Sequence, residues 1–356
     1  MEIQAIDHIE LFVAEAEEAA AELCDRFGFV PAGRGGATTG LRGCKSVLLR
    51  QRGITLLVTS ATDPGHPAAE YVARHGDGVG VIALAVEDAE AAFAEAVGRG
   101  GVPVAPPEVF KGEDGEVVLA SVIGFGDVEH RFVSRDRSDG SFLPMIPETG
   151  RDCSGGLLRE IDHIAVCVPA GALDGIVRCY EEVFGLRQIF EERIVVGSQA
   201  MDSKVVQDAA GKLTLTILEP DVAFDPGQID AFIAAHDGAG VQHLAFLTED
   251  ILTAVSEGAD RGVRFLSTPS SYYEVLTSRL GSIGVPVEAL RELNVLADRD
   301  HSGLLLQIFT ESRHPRRTLF YELIDRRGAH TFGSNNIQAL YEAVERQQAG
   351  DPIGLD

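Results

Sequence analysis

Apolar runs of strand length alternate along the whole chain with longer stretches whose apolar residues recur at helical spacing. VIALAV (81–86) and HLAFL (243–247) are two such runs. Each is followed by Glu-Asp, acidic residues suited to the positive end of a helix, and then by a helical stretch ending at Arg-Gly. The pattern repeats. IDHIELFV starts at Ile6 and IDHIAVCV at Ile161, an offset of 155. Residues 78–100 and 240–262 match at an offset of 162, which also holds for Glu87 and Glu249, Arg99 and Arg261, and Pro107 and Pro269.

Helices are predicted over 15–26 and 173–184. Further strands are predicted at VVLASVIGF (117–125), VEHRFVSR (128–135), LLLQIF (304–309) and TLFYELI (318–324). Four strand–helix–strands modules result, two in each half. A stretch rich in Asp, Ser, Gly and Pro, RDRSDGSFLPMIPETGRDCSGG (135–156), separates the halves. The reading is an N-terminal unit over 1–135, a linker over 136–156 and a C-terminal unit over 157–356. A single module cannot close a core. Paired modules can curve their sheets around a cavity, so the expected fold is α+β, four βαβββ modules forming two half-open barrels.

Composition narrows the function. The chain has 356 residues, 45% hydrophobic and 24% charged, with mean hydropathy +0.07 and a net charge of −25. This is a globular composition. The acidic surface repels phosphate backbones and anionic lipid, so neither nucleic acid nor membrane is expected as a partner. No apolar run is long enough to span a bilayer, and the start lacks the features of a secretory signal. Five cysteines without a CxxC pair argue against a disulfide framework or structural zinc site. A cytoplasmic location is therefore expected.

Three residues carry the candidate chemistry. His163 and His243 lie on the first strands of the two C-terminal modules, and Glu322 lies in an apolar strand. Their spacings, 80 and 79, are about one module each. Strand alternation puts His163 with Ala165 and Cys167, and His243 with Ala245, while the intervening aliphatic residues face the other way. Histidine beside alanine leaves room for a metal and a ligand. Two imidazoles and one carboxylate are the facial set of non-haem Fe(II) oxygenases, with open coordination positions opposite. In the first half His8 matches His163, but Val81 stands for His243, and Glu129 or Arg131 for Glu322. That half is expected to be a metal-free scaffold and assembly surface, compatible with a homodimer.

The motifs GAGVQHLAF (238–246), FLSTPSSYY (265–273), LADRDHSGLLLQIFT (296–310), FYELIDRRG (320–328) and FGSNNIQALYEAVE (332–345) resemble those of the vicinal-oxygen-chelate superfamily. Within it, the chain is similar over nearly its whole length to the 4-hydroxyphenylpyruvate dioxygenase and 4-hydroxymandelate synthase family. The resemblance implies that His163, His243 and Glu322 hold Fe(II). It also implies that Ser203, Thr216, Gln307, Phe309, Phe332, Asn336 and Ile337 form the pocket. The implied substrates are 4-hydroxyphenylpyruvate and O2; the substrate carries its own oxo acid, so no 2-oxoglutarate is expected.

Three features favour the synthase product, 4-hydroxymandelate, over the dioxygenase product, homogentisate. Ile337 stands where the dioxygenase pattern FGKGNF ends in an aromatic. Thr216 and Leu218 stand where that pattern has proline and asparagine, and IVVGSQAM (194–201) looks like the synthase version. Such enzymes supply hydroxyphenylglycine for peptide antibiotics, which implies secondary metabolism. The stretch from Ile337 to Val344 has the periodicity of a C-terminal helix, either packed or acting as a lid. An extradiol ring-cleaving dioxygenase and a ligand-sequestering module share the fold. The triad weighs against the module and the FGSNN segment against ring cleavage.

Overall fold

The computed structural model describes residues 1–113, 115–137, 141–333 and 336. Among the described residues the first half contains eight strands, β1 (Ala5–Phe12), β2 (Val30–Gly35), β3 (Cys44–Gln51), β4 (Ile54–Ala61), β5 (Gly78–Ala85), β6 (Pro103–Gly112), β7 (Gly115–Phe125) and β8 (Val128–Arg135). The second repeats them as β9 (Leu158–Cys167), β10 (Arg187–Val196), β11 (Gln199–Gln207), β12 (Thr214–Pro220), β13 (Gly240–Thr248), β14 (Leu296–Arg299), β15 (Leu304–Phe309) and β16 (Phe320–Arg327). The sheet orders are β2-β3-β4-β1-β5-β8-β7-β6 and β10-β11-β12-β9-β13-β16-β15-β14, the same topology twice. In each, the first strand runs parallel to one neighbour and antiparallel to the next. The architecture is the expected α+β pair of curled half-barrels.

Helices α1 (Ala16–Phe27), α2 (Pro67–His75) and α3 (Ala89–Gly98) belong to the first half, and α4 (Leu173–Cys179), α5 (Gln228–His236) and α6 (Ile251–Asp260) to the second. Three short helices follow: α7 (Ser270–Glu274), α8 (Leu276–Leu280) and α9 (Val287–Glu292). The repeated Glu-Asp starts work as N-caps. Asp88 accepts from the Ala91 N–H at 3.0 Å, and Asp250 from the Thr253 N–H at 3.1 Å. The stretch expected as one helix over 173–184 changes to a π-helical turn at Tyr180–Phe184 before Gly185 ends it. The repeated glycines make room for side chains from the preceding helices. A Cβ on Gly78 would lie 2.8 Å from the Tyr71 hydroxyl, and one on Gly240 would lie 2.3 Å from the His236 ring.

The aliphatic strand faces bury as alternation predicts. Ile9 and Leu11, like Ile164, Val166 and Leu244, join one core that runs through both halves under the helices. The concave faces differ. In the first half-barrel, Phe142, Leu143 and Ile146 from the 136–156 segment pack onto Ala32, Leu48 and Ala83. This segment therefore does more than connect: it fills the barrel. In the second, Ala165 and Cys167 join an apolar cluster with Leu218, Ile229 and Phe232, and the space left open lies beside His163, His243 and Glu322. No helix among the described residues is long and apolar enough to cross a membrane.

Candidate metal centre

His163, His243 and Glu322 come together on the concave face of the second sheet. One ligand atom from each lies within 4.8 Å of the others, and all three residues are buried. Strand register does this. Ala245 pairs with both His163 and Glu322, and His243 sits one same-face position along β13. Both histidine Nε2 atoms aim at Glu322 Oε2, at 3.2 Å from His163 and 3.4 Å from His243. Glu322 Oε1 is buried without a hydrogen-bond partner. An isolated carboxylate oxygen is costly to bury, and a cation among these three groups would satisfy it.

Each Nδ1 is occupied from behind by the residue preceding the histidine. His163 Nδ1 lies 2.8 Å from Asp162 Oδ1, and His243 Nδ1 lies 3.2 Å from Gln242 Oε1. Simple alternation would point Asp162 and Gln242 away from the site. Both stand at register shifts of the β9–β13 ladder, where a bulge lets adjacent residues reach the same side. Arg326 clamps Asp162 through Nε at 2.6 Å and Nη2 at 2.8 Å, and lies over the Phe332 ring. Phe320 stacks on the His243 ring at 4.9 Å. These contacts fix both rings with Nε2 forward, as metal-binding imidazoles require.

Charge in the site follows from burial and proximity. Burial works against protonating His163, yet Glu322 and Asp162 raise its pKa to about 9. For His243, burial outweighs the pull of Glu322 and lowers its pKa. Burial disfavours the Glu322 carboxylate, but the two imidazoles hold its pKa below the usual range. The donor set is thus one carboxylate and two Nε2 atoms, one of which gives up a proton when a cation enters. The residues fit a divalent metal such as Fe(II).

The triad opens into a cavity of about 480 Å³. Thr216, Gln307, Phe309 and Phe332 line it. Ser203 is buried on β11, opposite Leu218 and two residues from the lining residue Met201, without bordering the cavity. Asn336 is buried and reaches the site through Gln307, at 3.3 Å. Ile337 and the stretch expected as a C-terminal helix lie outside the described residues. Sequence reading missed Gln228 and Gln242, which also line the cavity. Gln228 Nε2 and Thr216 Oγ1 are buried there without partners. A larger cavity, about 1090 Å³, opens between α1 and the 310–321 region. Glu15, Glu18 and Glu22 border it together with Arg26, Arg264 and Arg313, so its wall carries charge of both signs.

The first half keeps part of this frame and inverts the rest. His8 Nδ1 lies 2.7 Å from Asp7 Oδ2, and Arg135 brackets Asp7 as Arg326 brackets Asp162. Asp7 stands at the equivalent bulge. Ala83, the counterpart of Ala245, pairs with Arg131, so arginine occupies the place of Glu322. Arg131 Nη1 donates to Glu10 Oε2 at 2.6 Å. The Phe142 ring packs edge-on against His8.

Comparison with known proteins agrees with this geometry. The family described as "Hydroxyphenylpyruvate dioxygenase, HPPD, N-terminal" matches residues 1–145. The family "Glyoxalase/Bleomycin resistance protein/Dioxygenase superfamily" matches residues 160–308. A 4-hydroxyphenylpyruvate dioxygenase of Dictyostelium discoideum is 33% identical, covering 97% of this chain and 98% of that protein. The chain belongs to the 4-hydroxyphenylpyruvate dioxygenase and 4-hydroxymandelate synthase family. Another dioxygenase of this family, from Danio rerio, is 35% identical over 96% of this chain and 90% of its own length. Among solved structures, a triple variant of 4-hydroxymandelate synthase from Streptomyces coelicolor superposes with TM-score 0.90 at 44% identity. It covers 98% of this chain and 100% of its own. The family places the chain among the vicinal-oxygen-chelate dioxygenases.

Proposed function

We propose that the chain converts 4-hydroxyphenylpyruvate and O2 to 4-hydroxymandelate and CO2, with Fe(II) held by His163, His243 and Glu322. The observation that carries the reading is the convergence of two Nε2 atoms on the Glu322 carboxylate, whose second oxygen is unpaired, at the wall of a mainly apolar cavity. When bound, Fe(II) would supply chelation of the 2-oxo acid and activation of O2. The chain supplies orientation and dryness. Asp162 and Gln242 keep the imidazoles aimed forward. Phe309 and Phe332 give apolar walls to the aryl group, and the unpartnered Thr216 hydroxyl and Gln228 amide offer hydrogen bonds to a polar substituent.

Two observations favour benzylic hydroxylation over ring attack. Thr216 and Leu218 both border the cavity, so the departures from the dioxygenase pattern are at substrate-facing positions. Identity to the synthase structure is 44%, against 33–35% to the dioxygenases named above. In this reading residues 1–135 form the scaffold, 136–156 the plugging connector and 157–356 the catalytic unit. The test is aerobic incubation with Fe(II), ascorbate and 4-hydroxyphenylpyruvate, with products separated by chromatography because the two candidates are isomers. 4-Hydroxymandelate as the main product supports the reading. Homogentisate would assign the chain to the dioxygenase activity, keeping the metal centre but removing the role given to Thr216 and Leu218.

A further inference from the structure

Gln307 is the polar residue of β15, 2% exposed and bordering the cavity. Its amide can turn either oxygen or nitrogen to the cavity, and the two make opposite demands on a ligand. A hydrogen-bond chain starting in the α7–α8 segment decides between them. Arg279 Nη2 donates to Tyr272 Oη at 3.0 Å and to the Ala297 carbonyl at 2.7 Å. The Ala297 N–H donates to the same phenol oxygen at 2.9 Å. With two donors on its oxygen, the Tyr272 hydroxyl must direct its own hydrogen elsewhere. Two acceptors lie 2.7 Å away, the Ala297 carbonyl and Asn336 Oδ1. The carbonyl can accept from both Arg279 and Tyr272, but a phenol oxygen already holding two donors leaves room at Asn336 only for an acceptor.

Asn336 consequently presents Oδ1 to Tyr272 and Nδ2 to Gln307 Oε1, at 3.3 Å. The reverse orientation of Asn336 would crowd a third donor onto the phenol oxygen. Gly333 leaves space for this arrangement; a Cβ there would lie 2.6 Å from Gln307 Oε1. With Oε1 engaged, Gln307 keeps its Nε2 hydrogens for the cavity. Its position indicates what it meets. Phe309 pairs with Glu322, and Gln307 lies one same-face step beyond. Thr216 flanks the triad from the opposite side, pairing with Ala165 one same-face step from His163.

We propose that Tyr272 and Arg279 are positioning residues that lock the Gln307 amide with its N–H donors toward the cavity, where they select an accepting oxygen of the 2-oxo acid group. This rests on the substrate reading above. The experiment is anaerobic equilibrium binding of 4-hydroxyphenylpyruvate to the iron-loaded enzyme. Gln307→Glu preserves the acceptor for Asn336 but replaces the N–H donors with oxygen, so affinity is expected to fall by about tenfold or more. Tyr272→Phe and Arg279→Met are each expected to weaken binding several-fold, with iron content unchanged, and to have no further effect in a Gln307→Leu background. Wild-type affinity in Gln307→Glu, or equal losses from Tyr272→Phe with and without Gln307, would overturn the proposal while leaving the substrate reading intact. Failure of the wild-type enzyme to bind this substrate would instead overturn the substrate reading, and the proposal with it.

Discussion

Arg131→Met separates a structural ion pair from a surface one. Arg131 donates to Glu10 at 2.6 Å, the Thr59 hydroxyl donates to the other Glu10 oxygen at 2.7 Å, and the Ser46 hydroxyl lies 2.8 Å from Thr59. Glu10 is 5% exposed. Methionine would keep much of the arginine stem's packing while stranding the Glu10 carboxylate with a single hydroxyl. Breaking a buried pair from one side costs about 3–5 kcal/mol. The Arg131 side chain is 19% exposed, so water can reach part of the vacated space. The low end, about 3 kcal/mol, is therefore expected. The double variant Glu10→Leu/Arg131→Met removes both charges and should return to within about 1 kcal/mol of the parent. Urea unfolding followed by far-ultraviolet circular dichroism measures both. A single variant within about 0.5 kcal/mol of the parent would show a pair worth no more than an exposed one. A double variant as unstable as the single one would show that the lost stability is packing rather than a stranded charge.

Asp162→Asn keeps the size of the group behind His163 but removes its charge and its pairing with Arg326. Metal affinity should fall by about 10–100-fold, read as the dissociation constant of Co(II) or Fe(II) by anaerobic titration; unchanged affinity would make Asp162 a bystander. Burial pushes His130 down from 6.5 to about 4, beside the Tyr180 hydroxyl at 2.8 Å. Between those values the unfolded chain takes up a proton that the folded chain refuses, so stability falls as pH drops. From pH 7 to 5 the loss from this group is about 2 kcal/mol, measured by urea unfolding at both pH values. His130→Gln should flatten the profile by that amount. Ile337→Phe restores the aromatic of the dioxygenase pattern and should raise the homogentisate fraction; product ratios equal to the parent's would remove Ile337 from the branching choice.

The offsets of 155 and 162 made the fold legible, because each module's strand order recurs and the aliphatic strand faces bury as alternation requires. The candidate triad was legible for the same reason. His163, His243 and Glu322 are polar groups at module spacing on otherwise apolar strands, and register does bring them together. Their supporting groups were hidden by a local irregularity. Asp162 and Gln242 reach the site through bulges that period-two reading cannot see, although the repeated Asp-His pair at Asp7 and Asp162 was a signal of the first. Helix α2, with Pro67 at its start, and α7–α9 are too short for their periodicity to stand out. Tyr272 was visible only as part of a motif, since its role depends on Asn336 and Ala297, distant in sequence. The segment over 136–156 reads as a linker by composition, but its Phe142, Leu143 and Ile146 carry enough apolar surface to fill a half-barrel.

Iron stoichiometry tests the central claim most directly. Purified enzyme is equilibrated anaerobically with Fe(II), freed of unbound metal and assayed for iron per chain, alongside His163→Ala, His243→Ala and Glu322→Ala. The structure predicts one iron per chain in the wild type and loss of binding in each variant, with the fold retained by circular dichroism. Full iron content in any one of the three, or a second iron bound beside His8 and Arg131, would contradict it.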